Sequence, residues 1–137
     1  MRDGTVTTTP ILTIVGSAIH DIPSFYAEIN RLFMANEDWK LGESLDALDD
    51  MLRGGYGAVR GGGPVILVWQ DIDRARSHLG FAATCAFLEA KLQRPDRYDV
   101  ARIDRQLADL KSGTGQTYFD IILDIIAGHS NIDLVAA

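Results

Sequence analysis

The sequence predicts an α/β fold: a small three-stranded parallel sheet flanked by helices. Three observations carry that expectation. Short β-branched runs stand at residues 11–15, 65–69 and 132–135. Helical patterns separate them, so consecutive strands must be joined by crossovers, which is how parallel neighbours are connected. The length, 137 residues, suits one domain with enough interior for a proper core.

Taken in order, residues 1–10 read as a loose N-terminal tail, and residues 11–136 as the folded domain. Ile11, Leu12, Thr13, Ile14 and Val15 make a buried strand closed by Gly16. Asp21 offers an N-cap, and Pro23 stands where an early helical proline is tolerated. Phe25, Ile29, Leu32 and Phe33 then form one apolar helix face. After a polar loop, Leu45, Leu48, Met51 and Leu52 line a second helix from about residue 45 to 53, stopped by Gly54 and Gly55. Pro64 leads into the second strand, and Asp71 is placed to cap a short helix reaching about Ser77.

Residues 81–92 and 100–111 carry helical apolar stripes, Phe81, Cys85, Leu88 and Leu92 in the first and Val100, Ile103, Leu107 and Leu110 in the second. Arg94, Pro95, Asp96 and Arg97 break between them. Tyr118, Ile121, Ile122, Ile125 and Ile126 predict a strongly apolar last helix ended by Gly128, and the third strand follows. Helices are expected over both faces of the sheet.

Bulk properties narrow the function. The net charge of −6 argues against a general binder of nucleic acid or anionic membrane and suits a basic protein partner. One cysteine, Cys85, cannot staple the fold, which favours a reducing compartment. No signal-peptide core and no apolar run of about 20 residues is seen, so the expected location is the cytoplasm.

Gly54, Gly55, Gly57, Gly61, Gly62 and Gly63 suggest a phosphate loop at first sight. A nucleotide loop, however, follows a strand and opens a helix; this one follows a helix and precedes a strand. A flexible connection is the reading kept. His20, His78 and His129 lack ligand spacing, and His129 sits at a helix C-terminus, where a cation suits the dipole. Cys85 reads as a buried, inert thiol, and no nucleophile elbow or triad pattern is visible.

The acidic segment 37–50 stands apart: Glu37, Asp38, Glu43, Asp46, Asp49 and Asp50 against Lys40 alone. With Leu45 at 0° and about 100° per residue, Asp46 lies at about 100° and Asp50 at about 140°. Leu48 and Leu52 lie at about 300° and 340° on the opposite side, and Asp49, at about 40°, is nearer the core edge. Ser44 is a plausible N-cap. The acids form either a solvated face that suits the helix dipole or a binding face retained despite repulsion of a few tenths of a kcal/mol between like charges four apart.

The run Gly42, Glu43, Ser44, Leu45, Asp46, Ala47, Leu48, followed by Asp49 and Asp50, resembles the signature loop and second helix of the barstar family, intracellular ribonuclease inhibitors. Ile14 to Ile19 with Ile22 resembles that family's first strand and the start of its first helix, and Pro64 to Trp69 its second strand. The likeness covers residues 11–77 and 116–136, leaving about 79–115 as an inserted helical pair before the last helix. It implies a barstar-like fold and an acidic loop and helix that plug the basic active site of a ribonuclease or related toxin. By this resemblance Asp50 matches the plugging aspartate and Asp46 the other helical aspartate of the interface. Gly42 and Ser44 match interface loop positions, Glu43 lies in the same acidic patch, and Asp124 falls where a glutamate of the last helix meets the enzyme. Lys40 and Leu41 replace two loop tyrosines, with Trp39 as an aromatic nearby, and Asp49 replaces a tryptophan. No catalytic residue, metal or cofactor is implied. Two other readings stay open: a regulatory or scaffold domain retargeted through the insert, and a small carboxylate-based enzyme or metal protein.

Overall fold

The computed structural model describes residues 9–137. Its elements run β1 (Ile11–Val15), a 3-10 turn (Gly16–Ala18), α1 (Ile22–Phe33), α2 (Leu45–Leu52), β2 (Val65–Gln70), α3 (Ile72–His78), α4 (Phe81–Leu92), α5 (Val100–Ser112), α6 (Tyr118–Ala127) and β3 (Ile132–Ala136). The strands form one sheet in the order β1-β2-β3 with both pairs parallel, Ile14 beside Trp69 and Trp69 beside Ala136. The three-stranded parallel α/β architecture expected from the sequence is therefore the one that forms. Of the expected tail, residues 1–8 lie outside the described residues. Pro10 is not loose: its carbonyl accepts the Ile66 N–H at 2.9 Å, extending the β1–β2 ladder by one bond.

One face of the sheet carries the core. Leu12, Ile14, Val65, Leu67, Trp69 and Ile132 point to it, and Trp69 is fully buried between Phe25 and Phe119, with ring centroids at 6.0 and 5.5 Å. The other face differs from the expectation of helices on both sides. Thr13, Ile66 and Val68 are only half-buried there, and Ile11, Asp133 and Val135 are exposed. The reason is visible in the strands: β1 and β3 place Thr13 and Asp133 among apolar residues on that face, so the apolar surface is too broken to hold a second helical layer.

Local signals set most helix ends. Asp21 Oδ1 accepts the Ser24 N–H at 2.9 Å, and Ser24 Oγ accepts the Asp21 N–H at 3.0 Å, a capping box at the start of α1. Asp71 does not act as expected. It precedes α3 with φ of 51° and makes no side-chain cap, because the chain must turn sharply out of β2 there. The glycine segment is a folded loop and more than a bare tether. Gly61 N–H donates to Gly54 O at 2.8 Å, Ala58 N–H donates to Phe33 O at 2.7 Å, and Val59 is buried. Gly57 has φ of 77°, and a Cβ there would stand 2.8 Å from Phe33 O, so only glycine fits.

α4 and α5 form an antiparallel hairpin at the two expected stretches. They pack around Cys85, Leu88, Ile103, Leu107 and Leu110, a small cluster separate from the main core. Phe87 touches both clusters. A second tie is Thr84, whose hydroxyl donates to Gly80 O at 2.6 Å and accepts the Tyr118 N–H at 2.7 Å. Among the described residues, no helix is long and apolar enough to cross a membrane.

Candidate functional site

The acidic segment leaves α1, loops back along it and enters α2. Leu41 anchors the loop: its side chain is buried, and Asn30 of α1 grips its backbone from both sides. The Leu41 N–H donates to Asn30 Oδ1 at 2.8 Å and Asn30 Nδ2 donates to Leu41 O at 3.2 Å. The Ser44 N–H turns back to Gly42 O at 2.9 Å, and Ser44 Oγ accepts the Ala47 N–H at 3.2 Å, so Ser44 caps α2 as its sequence position suggests. Leu48, Met51 and Leu52 then pin the helix to the core. Gly42 is exposed, and a Cβ there would meet nothing within 4 Å, so its place is not forced by packing.

The six acids divide into two kinds. Glu37 and Asp49 work inside the structure. Glu37 Oε2 accepts the Gly57 N–H at 2.8 Å and ties the loop to the glycine segment. Asp49 Oδ1 bonds His129 Nε2 at 2.8 Å and its Oδ2 accepts from Arg53 at 2.9 Å, fastening α2 to the end of α6. The His129 bond holds the Asp49 carboxyl below the usual carboxylate range; Arg53 assists and partial burial opposes. Asp38, Glu43, Asp46 and Asp50 are exposed. The Asp50 side chain is 65% exposed, with the Arg53 guanidinium 3.9 Å away.

The aromatic surroundings were only partly legible. Trp39 is 44% exposed and packs on Tyr56, ring centroids 4.8 Å apart. Burial, and after it the Asp50 carboxylate, pushes the Tyr56 hydroxyl up, so Asp50, Tyr56 and Trp39 belong to one surface. Sequence reading missed Tyr56; a lone aromatic amid glycines, with no helical or strand periodicity to absorb it, was the available signal. On the other flank Glu43 lies near a buried pair, Tyr26 and Tyr118, whose hydroxyls are 2.6 Å apart. Burial above all pushes both hydroxyls up, and the Glu43 charge adds to it. Between α1 and the loop lies an open groove of about 730 Å³, walled by Tyr26, Asn30, Met34, Trp39 and Glu43 among others.

Asp124 is exposed on α6, where its carboxylate accepts from Gln116 Nε2. Among the described residues it shares no bond with the acids of α2. Nor do three or more His, Cys, Asp or Glu side chains gather there into a group that could hold a metal ion.

Fold and surface together define a small α/β domain with an open three-stranded parallel sheet and an exposed acidic helix. The family whose model is described as barstar (barnase inhibitor) matches residues 9–107, and the chain belongs to that family. The match takes in β1 to β2, α3, α4 and part of α5, and ends before α6 and β3. No curated protein matches the chain.

Proposed function

We propose that this chain is a protein inhibitor of a basic ribonuclease or related toxin, acting in the cytoplasm through the loop and helix that carry Glu43, Asp46 and Asp50. The observation that carries this reading is Asp50, an exposed carboxylate on a helix whose opposite side is locked into the core. A ribonuclease cleft gathers Lys, Arg and His to hold phosphate, and a carboxylate set at the right height can occupy that field. Rigid seating matters because the side chains need little further ordering on binding. Trp39 and Tyr56 add an aromatic contact beside the charge, in place of the two tyrosines absent at Lys40 and Leu41. Gly42 and Ser44 shape the loop, and Asp124 would contribute at the edge. No cofactor takes part.

The test is inhibition and binding of a basic secreted ribonuclease encoded beside this chain's reading frame. Asp50→Ala is expected to abolish tight inhibition while leaving the thermal melt unchanged, and Asp46→Ala to weaken it less. Inhibition by Asp50→Ala equal to the parent would remove Asp50 from the plugging role.

A second reading is supported by Lys40, exposed in the middle of the proposed loop, and by Asp49, used internally. In it the domain is a retargeted binding module that recognises its partner through the α4–α5 hairpin. Partner capture that survives Asp50→Ala but is lost on replacing Tyr98 and Val100, both exposed on the hairpin, would favour this reading.

A further inference from the structure

A pocket of about 320 Å³ opens at the tip of the α4–α5 hairpin. Lys91 from the last turn of α4, Arg97, Tyr98 and Asp99 from the connection, and Arg102 from α5 line it. Three cations thus share one concavity with one carboxylate. Asp99 does not neutralise them by contact: its Oδ1 caps α5, accepting the Arg102 backbone N–H at 3.2 Å. Among the described residues, Lys91, Arg97 and Arg102 form no ion pair.

Lys91 is also held in place. Its Nζ stands 4.4 Å from the Phe87 ring centroid and 5.2 Å from that of Tyr98. Burial, and then the charge of Arg102, lowers its proton affinity. Like charges held together in a hollow are unfavourable unless something of opposite sign relieves them. The N-terminus of α5, a helix of 13 residues, opens at the same place, with the Asp99 carboxylate already on its Arg102 N–H.

We propose that this pocket binds a phosphate dianion, either inorganic phosphate or the phosphate monoester of a small metabolite. Three cations less one carboxylate leave two positive charges, matching a dianion better than a lone carboxylate. Two arginines supply planar forks suited to tetrahedral oxyanions, and Lys91 supplies a point charge. The volume suits a phosphate with a small attached group. This site is separate from the acidic segment and does not depend on the inhibitory reading.

The experiment is an amide NMR titration of the full chain with inorganic phosphate, with chloride adjusted to hold ionic strength constant. A parallel titration uses ribose 5-phosphate. Saturable shifts at residues 91 and 97–102 are expected, with affinity reduced about tenfold or more by either Arg97→Gln or Arg102→Gln, the loss of a charge-assisted hydrogen bond. Lys91→Met, which retains the apolar stem, is expected to weaken binding as well. Tighter binding of ribose 5-phosphate assigns the site to a metabolite; equal binding assigns it to the free ion. Shifts that fail to saturate at millimolar phosphate would overturn the proposal. So would folded Arg97→Gln and Arg102→Gln variants that both bind like the parent; either result would leave three solvated cations.

Discussion

The acidic helix α2 and the α4–α5 hairpin handle charge in opposite ways. α2 sets its exposed acids on three buried residues of the main core, the cluster that also holds Trp69, Phe25 and Phe119. The hairpin alternates acids and bases over its surface and rests on a core of five buried residues, tied to the domain through Phe87 and Thr84. A strong foundation lets a short helix keep like charges side by side, because the few tenths of a kcal/mol lost to repulsion are small beside the burial of Leu48, Met51 and Leu52. The hairpin has a smaller margin, and its charges are nearly balanced along its length, with Lys91, Arg97 and Arg102 gathered only at the tip beside Asp99.

The largest expected effect tests the display half of this comparison. If the proposed inhibition holds, Asp50→Ala should weaken binding to the ribonuclease partner by roughly 3–5 kcal/mol, the scale of a buried charge left without its partner. Stability should change by no more than about 0.5 kcal/mol, as for an exposed helix site. A calorimetric titration with paired thermal melts reads both. A large loss of stability would mean that Asp50 holds the helix in place, and the contrast between display and foundation would fail.

The next effect separates the two cores. Phe119→Ala, at a fully buried ring against Trp69, should cost about 3–5 kcal/mol and weaken hydrogen-exchange protection throughout the domain. Leu107→Ala, in the small cluster, should cost about 2 kcal/mol, the low end for such truncations because a superficial site can collapse. Its loss of protection should be confined to α4 and α5, with β2 amides unchanged. Equal loss in the sheet would show that hairpin and domain unfold as one unit.

How far the chain could be read in advance follows the same division. Helical periodicity placed α4 at Phe81–Leu92, and short continuous β-branched runs bounded by breakers placed all three strands. Ser44 and Asp21 were legible as caps for the same local reason. What escaped depended on contacts between distant segments. The helix angle set Asp49 nearer the core edge than Asp46 and Asp50, but its partner, His129, lies far along the chain and was not legible. Nothing in local spacing links Glu37 to Gly57, whose N–H it accepts. The bare face of the sheet was hidden because Ile66 and Val68 read as buried whether or not a helix lies above them. Asp50 and Asp46 were legible as exposed because a helix on a known apolar face leaves its other side to solvent.

The smallest expected effect concerns Asp49, the acid that belongs to the foundation. Its carboxyl titrates below the ordinary value through the His129 bond first, with Arg53 assisting. The folded state therefore holds this proton less tightly than the unfolded chain does, and unfolding takes up a proton in acid. Stability from this group is complete above the unfolded value of about 3.9 and is lost as pH falls through the lower folded value. Because the side chain is 34% exposed, solvent screens it, and the contribution should be only about 0.5–1 kcal/mol. Glu28 and Asp21 are also held low and add their own acid sensitivity, so the useful quantity is the stability difference between the parent and Asp49→Asn. Denaturant titrations below about pH 5 should give a difference that shrinks toward acid. His129→Gln should reduce the acid-dependent part more than Arg53→Gln. A difference that stays constant through the whole acid range would mean that Asp49 contributes by packing alone, and that this acid is tied to the core by shape and not by charge.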